Sequence, residues 1–191
     1  MIKRMKKKKL SLSIKGKTAV YIDAANIFYA SKTLKYQIDF KKLIKYFGDN
    51  FNVDKIFYYT GFDPQNNKQI KFLDKLDKFG YRVIKKPIKK INKKGIYKEK
   101  ANLDVELSID AVINEGKYKN LVLVSGDSDF AYLLEILKRK GKKLIVISAR
   151  GHISKELIIN SDYYVPLESL KEKIARKKNH PAIKAGDVNL D

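Results

Sequence analysis

A chain of 191 residues with no cysteine and two histidines, His152 and His180, leaves its chemistry mainly to carboxylates. Disulfides, thiolate zinc sites and cysteine nucleophiles are excluded together. Four aspartates stand where they could act jointly. Asp23 closes the apolar run TAVYID, Asp127 and Asp129 follow LVLVS, and Asp104 opens the segment after KANL. Asn26 lies three residues beyond Asp23, one helical turn on. Four like charges in one place are costly, because each raises its neighbours' pKa. A divalent cation resolves that conflict, and an oxygen-only donor set suits Mg²⁺ or Mn²⁺ better than zinc. Such an ion activates water and stabilises charge developing on a phosphodiester. The plainer alternative is that an aspartate at a strand end or helix start is only a cap, worth about 1 kcal/mol. Capping accounts for any one of the four more easily than for all four on one rim.

The elements that must position these residues follow from the hydrophobic pattern. Thr18–Asp23 predicts a strand and 24–34 a short helix. Asp39 can cap a helix over 40–47 that Gly48-Asp49-Asn50 stops. Val53–Thr60 predicts a second strand, Gly61-Phe62-Asp63-Pro64 a turn, and Ile70, Leu73, Leu76 and Phe79 a helix ended by Gly80. Tyr81–Lys86 is a third strand. The apolar set of 102–115 mixes periods, but its length and good helix formers favour a helix. Leu121–Ser125 has the continuous apolar character of a strand covered on both faces. A helix over 129–140, a strand at Lys143–Ser148, a helix over 153–160 and a strand at Tyr163–Val165 complete the series. Alternation of this kind makes right-handed βαβ units and a parallel, Rossmann-like sheet. The expected fold is a three-layer α/β/α sandwich. Ligands of such sheets bind beyond the strands' carboxyl ends, where strand order reverses, and the start of the 102–115 helix brings Asp104 to that same edge.

The excess of 42 Lys+Arg over 21 Asp+Glu gives a formal charge of +21, which attracts polyanions, nucleic acid foremost. The bland explanation is lysine used as general surface filler. Clustering argues otherwise: residues 1–17 hold eight basic side chains and no acid, and 85–100 hold eight lysines against one glutamate. Such blocks behave as arms or phosphate contacts, which makes Lys93, Lys94 and Lys100 candidate substrate ligands. The expected layout is a basic arm over 1–17, one domain over 18–167 with a lysine-rich hairpin or loop at 85–100, and a basic helix with a polar tail over 168–191. No apolar run approaches the ~18 residues of a membrane span, and Leu10, Leu12 and Ile14 alternate with polar residues instead of forming an export signal. A reducing, cytoplasmic setting is expected. RNA is the expected partner, no membrane is, and the reading admits a homo-oligomer.

YIDAANIFY, KANLDVELSIDA and LVLVSGDSDFAYLLEILKRKGKKLIVIS resemble, in order, three signature segments of the NYN domain, the LabA-like branch of the PIN-type nuclease superfamily. The resemblance covers roughly 18–167, with SGDSDF its most specific element. It implies a PIN-like fold and, as in many relatives, Mg²⁺- or Mn²⁺-dependent ribonuclease activity. By motif position Asp23, Asn26, Asp104, Asp127 and Asp129 match the acidic site, and Ser125 a polar residue beside it. Family members often carry glycine where this chain has Ala101-Asn102. The 85–100 segment and the basic arm fall outside the shared pattern.

Weaker signals complete the reading. Asp110 falls about 240° around the helix from Asp104 and ~9 Å along it, so it is left out of the site. Gly16-Lys17-Thr18 imitates the end of a P-loop but precedes its strand and lacks the earlier glycine. Arg150 and His152 share a loop at the carboxyl edge, where Arg150 could meet a phosphate. Tyr29, Tyr36, Tyr58 and Tyr59 could stack on unpaired bases, although core or rim packing is the commoner role. Two other function classes compete: an RNA-binding or scaffold protein without turnover, which would hold RNA equally well in EDTA, and a phosphatase acting on small phosphoesters.

Overall fold

The computed structural model describes residues 14–93 and 96–177, with backbone alone for 90–93 and 96–100. The stretch 1–13, Lys94, Gly95 and the tail from residue 178 lie outside the described residues. The chain runs through β1 (Lys17–Asp23), α1 (Ala24–Thr33), α2 (Phe40–Asn50), β2 (Asn52–Phe62), α3 (Asn67–Lys78) and β3 (Arg82–Pro87). It continues through β4 (Lys89–Lys93), β5 (Ile96–Lys100), α4 (Asp104–Ile113), β6 (Asn120–Val124), α5 (Ala131–Arg139), β7 (Lys143–Ser148), α6 (Lys155–Asn160), β8 (Tyr163–Pro166) and α7 (Lys171–Ile174).

Six strands form one parallel sheet in the order β3-β2-β1-β6-β7-β8. Each strand's alternation divides the core in two. Val20, Ile22, Ile56, Val122 and Ile145 face one layer, completed by Leu43 and Phe47 of α2 and Leu73 and Leu76 of α3. Tyr21, Phe57, Leu121, Leu123 and Val146 face the other, completed by Leu107 of α4, Leu134 of α5 and Leu157 of α6. This is the expected α/β/α sandwich, and no helix among the described residues is long and apolar enough to cross a membrane.

Several boundaries depart from the sequence reading. Gly48 does not stop α2, which runs on to Asn50, and Asp39 caps its start by accepting from the Lys41 and Lys42 N–H groups. Gly61 and Phe62 belong to β2 and not to a turn. A Cβ on Gly61 would lie 2.5 Å from the Cβ of Ala101, so the close passage of a distant segment, and not a bend, requires glycine here. The lysine-rich segment is a hairpin, β4 paired antiparallel with β5. Beyond residue 167, where a basic helix followed by a polar tail was expected, the chain packs against the core. Leu170 and Ile174 are buried there, and Ile38 forms a backbone bridge with Ala175.

Candidate metal centre

The order of the sheet reverses between β1 and β6, because β2 follows β1 on one side while β6 lies on the other. Backbone diverges there and leaves a crevice at the carboxyl edge. β1 delivers Asp23 to it. Its Oδ1 accepts from the Asn26 N–H at 3.2 Å, which caps α1, and its Oδ2 accepts from the Ser125 hydroxyl at 2.9 Å. Ser125 sits one residue beyond β6, and its Oγ accepts from the Asp127 N–H at 3.2 Å. Asp127 Oδ1 in turn accepts from the Asp129 N–H at 3.0 Å, holding a short helical turn over Ser128–Phe130. These bonds tie the first turn after β1 to the first turn after β6.

Asp104 arrives from a third element. It opens α4, and Asn102 Oδ1 accepts its N–H at 2.7 Å. Carboxylate oxygens of Asp104, Asp127 and Asp129 lie within 4.8 Å of one another, with Asp104 and Asp127 half-buried and Asp129 exposed. Asp23 stands outside this group of three, behind it through Ser125. Among the described residues no lysine or arginine makes an ion pair with any of the four, although the chain carries 42 such residues. Lys86, near the rim, is engaged by Glu106.

Unneutralised charge shows in the protonation equilibria. Burial first, then the Asp104 and Asp127 carboxylates, push Asp23 up to about 6 against the hydrogen bonds from Asn26 and Ser125. Asp104 is also raised, by burial and then by Asp127 and Asp129. A hard divalent cation is the partner this donor set fits: oxygen ligands only, net negative, no histidine or thiol.

Gly126 lets two loops at this edge meet closely. A Cβ there would stand 1.5 Å from the His152 carbonyl oxygen, and the Ser154 N–H donates to the Gly126 carbonyl at 3.0 Å. The loop after β6 and the loop after β7 are thus in direct backbone contact.

Among the other sequence candidates, Ser125 lies beside the acids, 1% exposed and with its hydroxyl donating to Asp23. Arg150 is exposed in the loop after β7, its N–H donating to Glu168. His152 Nε2 lies 2.9 Å from Thr33 Oγ1 at the end of α1. Lys93 and Lys100 sit on the hairpin backbone, and Lys94 lies outside the described residues. Asp110, left out above, accepts from the Tyr59 hydroxyl at 2.8 Å and is structural. Tyr58 and Tyr59 are buried. Sequence reasoning missed Asn102, whose place two residues before Asp104 is the signal of a side chain turned onto a following N–H.

The NYN domain profile matches residues 17–168, which include Asp23, Asn26, Asp104, Asp127 and Asp129. The chain belongs to the NYN domain family. That family lies within the PIN-like nuclease superfamily. The NYN chain is 32% identical over 167 residues to the low amplitude and bright protein LabA of Synechococcus elongatus, a match covering 84% of this chain and 89% of that protein. Among solved structures it resembles a protein of unknown function, VPA0982 from Vibrio parahaemolyticus. The TM-score is 0.69 at 26% identity, covering 80% of this chain and 93% of that one.

Proposed function

We propose that this NYN domain is a ribonuclease that works with Mg²⁺ or Mn²⁺ bound by Asp104, Asp127 and Asp129. The observation that carries the reading is the meeting of three carboxylates from two separate elements within 4.8 Å, without an ion pair among the described residues, in a chain of net charge +21. A protein that only gripped RNA would gain nothing from unneutralised acid facing a phosphate. A hard divalent ion held there supplies charge stabilisation at the phosphate and an activated water.

The chain's own residues do the rest. Asp104, Asp127 and Asp129 present the oxygens. Asp23 completes the negative field from behind, its two oxygens fixed by the Asn26 N–H and the Ser125 hydroxyl. With the Asn26 N–H spent on Asp23, the Asn26 amide is assigned to orienting a ligand or phosphate. Arg150, Lys93, Lys94 and Lys100 are assigned to the RNA backbone, where each contact adds to a salt-dependent affinity.

Incubation of the pure protein with single-stranded RNA and Mn²⁺ tests the reading. Cleavage should stop in EDTA and fall by about 100-fold or more in Asp127→Asn. Equal cleavage by wild type and variant overturns it. RNA bound equally well with and without EDTA, and never cut, would establish a binder instead.

A further inference from the structure

Beyond the acids, α1 carries a second feature directed at a ligand. Ala24, Ile27 and Ala30 are its buried face. Beside that face Asn26, Tyr29 and Thr33 follow at i, i+3 and i+7, one row along the helix. The row begins at the Asn26 N–H on Asp23 and ends where Thr33 meets His152, in the loop that carries Arg150. In the middle of it Tyr29 is 45% exposed, whereas Tyr58 and Tyr59 are 5% and 2% exposed in the core.

The Tyr29 ring is not an isolated surface aromatic. Phe28 meets it edge-on, with centroids 5.7 Å apart and planes at 69°, which restrains the ring's orientation. The Lys32 ammonium lies 4.9 Å from the Phe28 centroid and 5.3 Å from that of Tyr29, adding a positive charge to the aromatic pair. An oriented, solvent-facing ring with a cation beside it matches the two halves of a nucleotide: the ring offers a π-face to a base, and the ammonium a charge to the phosphate.

We infer that Phe28, Tyr29 and Lys32 form a stacking subsite for an unpaired base, about one helical turn along α1 from Asn26. This rests on the ribonuclease reading and deepens it by assigning a base-binding subsite to α1. A paired base has both faces covered by its neighbours and cannot use such a platform. Tyr29 supplies the stacking surface, Phe28 holds it in place, and Lys32 meets the adjoining phosphate. The path from the platform leads one way to the acids and the other way to Arg150.

The test is equilibrium binding in EDTA, which separates it from turnover. Fluorescence anisotropy would compare wild type, Tyr29→Leu and Tyr29→Phe on three labelled ligands: a 12-residue oligouridylate, a ribose-phosphate chain of similar length without bases, and a duplex RNA. Tyr29→Leu should weaken oligouridylate binding about tenfold, Tyr29→Phe should bind like wild type, and neither should alter affinity for the abasic chain or the duplex. An unchanged affinity of Tyr29→Leu for oligouridylate overturns the subsite. So does an equal loss on all three ligands, which would report a general defect, and so does a wild type that binds no oligouridylate. Should the Tyr29 pattern hold while Mn²⁺ produces no cleavage, the platform stands and the ribonuclease reading falls.

Discussion

Asp23 is caught between two demands, since the fold buries it while the site needs it charged. Burial and the nearby carboxylates place its folded pKa at about 6 against an ordinary 3.8. Without a divalent ion the folded protein therefore binds a proton there more tightly than the unfolded chain. That contribution to stability is full below pH about 4 and is lost as pH rises through about 6. Asp23→Asn cannot ionise, so in EDTA it should match wild type near pH 4 and exceed it at pH 7 by on the order of 2 kcal/mol. Adding Mn²⁺ should narrow the gap by stabilising wild type more. Thermal melts of both proteins across this range check it, and curves that coincide at every pH would show that Asp23 titrates as an ordinary carboxyl. The aspartates were legible in the sequence because each stands directly after a strand or at a helix start, where topology alone decides the edge. Ser125 was legible as a neighbour of the acids, but its partner was not: the hydroxyl serves a residue 102 positions away, and no local pattern reports that bond. Tyr29 was visible as an aromatic near a strand end, but its exposure depends on which face of α1 the core takes.

Among the elements, α4 shows why mixed periodicity obscured the reading of 102–115. It has two apolar stripes. Leu103, Leu107 and Ala111 are buried against the sheet, whereas Val105, Ile109 and Ile113 are 67%, 50% and 72% exposed. Both repeat at helical spacing, and together they blur the contrast that identifies one inner face. Leu107→Ala should therefore cost about 2–5 kcal/mol, and Ile109→Ala should stay within about 0.5 kcal/mol of wild type. Chemical denaturation of the two variants decides the point, and comparable losses would mean that the outer stripe is packed. The two misplaced glycines have separate causes. Gly48 is tolerated inside α2, at about 1 kcal/mol relative to alanine, because Leu43 and Phe47 anchor that helix in the core. Gly61 answers to Ala101, a neighbour far along the chain. Turn chemistry reads only adjacent residues, so neither outcome was available to it.

At the scale of the molecule, the parallel sheet was legible because its central strands are continuous apolar runs, and the crevice followed from the single reversal of strand order. The packing of the basic C-terminal stretch onto the core was not legible, because the charges of Lys171, Lys173 and Arg176 mask the contribution of Leu170 and Ile174. The fold uses it as a clasp. The Asp39 N–H donates to the Ile174 carbonyl at 2.8 Å, the Lys42 ammonium to the Ala175 carbonyl at 2.6 Å, and the Arg176 N–H to the Gln37 carbonyl at 2.8 Å. The NYN profile match ends at residue 168, short of these contacts. A trimmed fragment stopping at residue 167 would uncover the outer side of α2 and discard the burial of Leu170 and Ile174, a loss of about 3–6 kcal/mol. Its melting temperature should drop sharply against that of one carried to residue 177. Equal melting would show the clasp to be idle. Expression boundaries drawn from homology alone would thus cut through the seal of one helical layer.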